Sequence, residues 1–87
     1  MEVWKTGDVI YRGDVYKQSI EPFKIKNLHR NASNTLVANA ESLFVGQQIA
    51  VLLFDNKNED VTFTNVIYTC DVNRAYKFLK THNACVE

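Results

Sequence analysis

Thr35-Leu36-Val37-Ala38-Asn39-Ala40-Glu41-Ser42-Leu43-Phe44-Val45-Gly46, running into Gln47-Gln48-Ile49-Ala50-Val51-Leu52-Leu53-Phe54, is the stretch whose reading decides the fold. Leu36, Val37, Ala40, Leu43 and Phe44 recur at i, i+1, i+4, i+7 and i+8, which places them within about 120° of arc on a helix. Ser33 or Asn34 can cap its start, and Gly46 stands where a left-handed residue ends a helix. A helix over about 35–45 is the expectation. At period two the same residues instead make Thr35 to Ala40 a strand, with Leu43 to Gln47 as the turn into the next one. The first reading gives an α+β fold, a small mainly antiparallel sheet of about five short strands with helices near 35–45 and 72–82. The second gives a small β-barrel plus the C-terminal helix.

The strand-turn-strand arrangement over Thr35–Ala40 and Leu43–Gln47 resembles that of small barrels such as PilZ-like domains. The resemblance covers about a third of the chain and implies a barrel-like fold. The arginine motif with which that family grips its cyclic dinucleotide has no counterpart here, so the ligand is not carried over.

Downstream the pattern is clearer. Gln48 to Phe54 is apolar on both faces, as a central buried strand is. Asp55 to Asp60 is polar and turn-rich, and Val61 to Tyr68 returns rich in β-formers, so a β-hairpin is expected. Asp71 is placed to cap a helix from Val72 to about His82. On that helix Val72, Ala75, Tyr76, Phe78 and Leu79 share an arc of about 160°, with Asn73, Arg74, Lys77, Lys80 and Thr81 opposite. The apolar side predicts docking on the sheet, which a helix this short needs in order to form.

Upstream, Gly7-Asp8-Val9 and Gly13-Asp14-Val15 repeat as Gly-Asp punctuation between short β-branched and aromatic runs, which reads as turns between strands near 2–5, 9–12 and 14–19. Arg12-Gly13-Asp14, the integrin-binding tripeptide, is more simply one of those turns. Pro22 interrupts any continuous strand, and Phe23-Lys24-Ile25-Lys26 alternates as an edge or new strand. Residues 27–34 read as the main loop. An unpaired strand near Phe23-Lys24-Ile25 would allow self-association between copies, although its lysines discourage it.

The 87 residues predict one domain, and a 46% hydrophobic share is that of a folded globule. Ten Lys and Arg balance ten Asp and Glu, which excludes the strongly basic footprint of most nucleic-acid binders. The opening Met1-Glu2-Val3-Trp4-Lys5 has no secretory pattern, and no apolar run approaches the ~20 residues that a bilayer requires. Cytoplasmic location is the default, in the host cytoplasm if the gene belongs to a bacteriophage. Frequent asparagine, and lysine in excess of arginine, hint at an AT-rich coding genome of that kind.

Convergent titratable groups, which catalysis needs, are scarce. His29 falls in a polar loop, and His82 at a helix end where capping or packing explains it. His82-x-x-Cys85, joined by Cys70, is one loose ligand pair where zinc sites use two tight ones. Cys70 and Cys85 read as reduced thiols, and Cys70 has no base beside it. The sequon Asn31-Ala32-Ser33 is idle without export, and no phosphate-binding glycine loop is present. The expectation is a protein that is not an enzyme and needs no cofactor or metal. It is a small non-catalytic binding protein that modulates a macromolecular partner, such as an accessory or inhibitor protein of a bacteriophage or mobile element. Trp4, Tyr11 and Tyr16 are its interface aromatics. The alternative is a small RNA- or DNA-binding domain that uses Lys24, Lys26, Arg30 and the helix row Arg74, Lys77 and Lys80.

Overall fold

The computed structural model describes residues 1–82, so Cys85 lies outside the described residues. Six strands, β1 (Val9–Asp14), β2 (Ser19–Arg30), β3 (Leu36–Ser42), β4 (Gln48–Leu53), β5 (Val61–Thr62) and β6 (Val66–Thr69), precede one helix, α1 (Val72–Thr81). Every pairing is antiparallel, in the order β4-β3-β2-β1-β6-β5. The sheet curls into a half-barrel around Trp4, Ile10, Ile25, Ala38, Val51 and Leu53. This mostly-sheet architecture is compatible with the small barrel plus helix.

The helix expected over 35–45 is a strand. Leu36, Ala38, Ala40 and Ser42 point into the curl, while Val37, Asn39 and Glu41 lie on the opposite face, where Val37 is nonetheless buried. Period two prevails because β3 is paired on both sides, with β2 and β4, and backbone hydrogen bonds along both edges outweigh a marginal helical stripe. Leu43 and Phe44, which completed that stripe, are exposed in the following turn, and Gly46 (φ 74°) serves the turn rather than a helix end.

The expected 48–68 hairpin does not form. Among the described residues Gln48–Leu53 pairs only with β3 and lies at one edge of the sheet, so it is not central, and its alternate residues are exposed. Val61–Tyr68 breaks at Phe63 into a small hairpin of its own, with the Phe63 amide donating to the Val66 carbonyl at 2.7 Å. Its second strand joins β1 instead, Tyr11 opposite Thr69.

Residues 2–5 form no strand beyond a single bridge, Val3 to Asn56. Pro22, expected to break a strand, sits inside β2. Its carbonyl accepts from the Leu43 amide at 3.0 Å, so its donor-less nitrogen faces the last rung on the β3 side, where at most one reciprocal bond is forgone. The loop expected at 27–34 shortens to 31–35, where the Asn31 side-chain oxygen accepts from the amides of Ser33 and Thr35. The long β2 therefore pairs with β1 through its first half and with β3 through its second. A register shift between Ile25 and Asn27 adds the twist that curls the sheet. Phe23-Lys24-Ile25 is paired on both sides and is closed to the self-association read from the sequence.

Gly7 turns the chain at φ 94°, as the repeat predicts, but Gly13 and the Arg12-Gly13-Asp14 tripeptide lie in β1. A Cβ at Gly13 would stand 2.9 Å from Ile67 Cγ2 and 3.5 Å from Ala75 Cβ, so this glycine lets the helix approach the sheet closely. The helix itself matches its pattern: Asp71 caps it by accepting from the Asn73 amide at 2.8 Å, and Ala75 and Leu79 are buried. Tyr76 departs from the expected arc and is 51% exposed, because the helix rests on β1 and β6 with a narrower seam.

Candidate functional site

Alternating strand directions place the three tight turns, 15–18, 43–47 and 63–65, at one end of the sheet, where β1, β3 and β5 finish. That end carries large apolar side chains in the open: Tyr16 is 80% exposed, Phe44 70% and Val45 73%, with Leu43 and Phe63 also above half. Tyr16 and Phe63 belong to the turns that follow Asp14 and Thr62, and Leu43, Phe44 and Val45 to the turn that follows Ser42, which stands opposite Phe23 and, through it, level with Ile10.

The central turn is held firmly. The Ser42 hydroxyl is buried and uses its full capacity: it accepts from the amides of Phe44 (3.1 Å) and Val45 (3.2 Å) and donates to Glu21 Oε2. Ser42 N–H donates to the Gln47 carbonyl at 2.8 Å, and the Gly46 amide returns to the Ser42 carbonyl at 3.0 Å. Glu21 is in turn paired with Arg12 at 2.8 Å, and that guanidinium lies 4.7 Å from the centre of the Phe23 ring. A chain of polar contacts thus runs from the core to a turn whose three apolar side chains face outward.

The residues singled out from the sequence scatter. Trp4 is 5% exposed in the core beneath Lys57, so its ring is unavailable at the surface. Tyr11 is half-buried in β1, and only Tyr16 of the three aromatics stands free. Lys24 and Lys26 lie along β2, where Lys26 approaches Glu41 at 4.0 Å, while Arg30 pairs with Asp55 at 3.0 Å. Arg74 is tied to Asp60 at 3.3 Å and donates to the Asn58 carbonyl at 2.8 Å and to Cys70 Sγ at 3.0 Å. Lys77 and Lys80 are exposed on the helix and make no ion pair among the described residues. Arg12, Lys26, Arg30, Lys57 and Arg74 all lie within 4.0 Å of a carboxylate.

Outside the helix, the other face of β2, β3 and β4 is covered by no element among the described residues. It holds an open depression of about 400 Å³ lined by Lys26, Asn27, Asn39 and Gln48, in which Asn39 Nδ2 donates to Asn27 Oδ1 at 2.6 Å. Its two asparagines are bonded to each other and converge on no reactive group. His29 lies 3.5 Å from Asn39 at the margin of that network. His82 closes the helix, its amide bonded to the carbonyls of Phe78 and Leu79 and its ring 4.3 Å from that of Phe78, a capping and packing position. Among the described residues no three His, Cys, Asp or Glu side chains are grouped to hold a metal ion, and no helix is long and apolar enough to cross a membrane.

Leu43, Phe44, Val45 and Phe63 were not distinguished by sequence. The signal available was a three-residue apolar run between Ser42 and Gly46, too short for an element and flanked by turn formers. No family model, curated protein or solved structure matches this chain.

Proposed function

We propose that the chain is a small non-catalytic binding protein that engages another protein through the turn end of its sheet. The observation that carries this is the set of exposed apolar side chains on the turns at that end, Leu43, Phe44 and Val45 on the turn fixed by Ser42 and Tyr16 and Phe63 on the other two. Aromatic groups presented on an ordered backbone lose little freedom on binding, and for that reason they anchor interfaces. A protein partner fits this end better than a nucleic acid does, because the contact groups are apolar and half of the chain's cations are already paired with carboxylates. The role extends to modulation of that partner, as an accessory or inhibitor protein of a bacteriophage or mobile element. Its support is small size and the asparagine- and lysine-rich composition.

The test is affinity capture from a bacterial lysate with the wild-type chain and with Phe44→Ser in parallel, read by mass spectrometry. A protein retained by the first and lost from the second is the expected result. Retention of the same proteins by both, or of none by either, would refute the reading. A gel shift that weakens steeply with salt and is lost when Lys24, Lys77 and Lys80 become glutamate would replace it with the nucleic-acid alternative.

A further inference from the structure

The open edge of β4 has a defined chemistry. The Ser42 amide donates to the Gln47 carbonyl, which sets the side toward which each following residue directs its backbone. Donors and acceptors alternate along an antiparallel strand, so Ile49, Val51 and Leu53 bond to β3, whereas Gln48, Ala50 and Leu52 point theirs outward. Among the described residues no loop backbone bonds to those three. Natural edges are usually blunted by charge, proline, a bulge or shortness. The opposite edge, β5, is only two residues long. Residues 47–54 have no charge and no proline, β4 is six residues long, and its register with β3 is unbroken.

We propose that β4 pairs antiparallel with β4 of a second copy of this chain, about a two-fold axis at Ala50. In that register Ala50 opposes itself, Gln48 opposes Leu52 twice over, and three hydrogen-bonded pairs supply about six N–H···O bonds. The occupant is a second copy because the edge is self-complementary. Its smallest side chain sits at the axis, where two identical groups must meet, and no like charges face each other anywhere along the strand. Extending the register sets exposed Phe54 against Gly46 of the other copy, where the absent side chain leaves room for a ring. With ten cations against ten anions, two copies also meet without net repulsion. The pairing joins two sheets into one and aims the two turn ends in opposite directions.

The test uses sedimentation on wild type, Ala50→Lys and Ala50→Glu. The wild-type chain should sediment at twice the monomer mass when concentrated, and each variant alone at monomer mass, because the axis brings like charges together. An equimolar mixture of the two variants should recover the doubled mass. Hydrogen exchange on the wild-type chain provides a readout free of any folding defect. The amides of Gln48, Ala50 and Leu52 should be protected when concentrated and lose protection on dilution, while those of Ile49, Val51 and Leu53 stay protected throughout. A wild-type monomer at the highest attainable concentration, a variant that still dimerises alone, a mixture that stays monomeric, or edge amides indifferent to dilution would each overturn the proposal.

Discussion

Replacing Ser42 with alanine should loosen the exposed turn and destabilise the whole domain together. The hydroxyl makes three hydrogen bonds, and the substitution affects them unequally. The amides of Phe44 and Val45 lie on exposed residues and can turn to water, so each loss costs about 0.5 kcal/mol, the low end for a neutral bond. Glu21 differs: its side chain is 17% exposed, and the carboxylate would lose its bond to Ser42 while keeping Arg12. A charged acceptor left partly unsatisfied costs about 1–2 kcal/mol. The sum is about 2–3 kcal/mol, a large share of the stability of a domain this small, and it lowers the melting temperature by roughly 10–15 °C. Urea unfolding followed by circular dichroism measures the first quantity, and amide exchange at Phe44 and Val45 measures the local one. A change below about 0.5 kcal/mol with both amides still protected would show that the turn is held by its backbone alone.

Two further substitutions probe the helix seat. Gly13→Ala should destabilise by about 1–2 kcal/mol, because overpacking against Ile67 exceeds the entropic gain of removing a glycine. Ile67→Leu, which removes the clashing methyl, should recover part of that loss in a double-mutant cycle read by thermal melts; strictly additive effects would show that the two do not touch. Asp71→Ala removes the helix cap and should cost about 1 kcal/mol in the same melts, with helical ellipticity reduced at the first turn; an unchanged melting temperature would mean that Thr69 and the sheet contacts suffice to start the helix.

The parts of this fold that sequence reveals are those set by near neighbours. Helix α1 is legible because its cap and its apolar stripe lie within eleven consecutive residues and the sheet seam leaves only Tyr76 astray. β3 is not, because Leu36 and Ala40 satisfy helical and extended periods at once, and the choice is made by β2 and β4 rather than by β3 itself. The choice of β1 over β4 as the partner of β6 is likewise non-local, since either apolar strand could accept Val66–Thr69 on composition. Pro22 misleads for a related reason: whether its missing donor matters depends on where a neighbouring strand ends. Among the candidate contact residues, Tyr16 is exposed as expected, but on the turn 15–18 rather than in the strand read near 14–19. Trp4 is not legible, because the neighbouring Lys5 makes it resemble a surface aromatic while the half-barrel needs a large ring to fill its curl. Of the basic residues read together from the sequence, Lys26, Arg30 and Arg74 enter separate ion pairs once Glu41, Asp55 and Asp60 are brought beside them, while Lys24, Lys77 and Lys80 make none among the described residues.

The strand order has a kinetic consequence. β1 to β4 form a meander whose contacts are all between sequence neighbours, whereas Tyr11 meets Thr69 only after nearly the whole chain has been laid down. Loop-closure entropy predicts that this last pairing is the slow event, with the meander formed ahead of it. During translation β1 therefore presents an unpaired flank, with the Gly13 groove bare beside it, until β5, β6 and α1 have left the ribosome. For this short interval the molecule has a second sticky border that the finished fold hides. A fragment ending near Phe54 should accordingly aggregate where the complete chain does not.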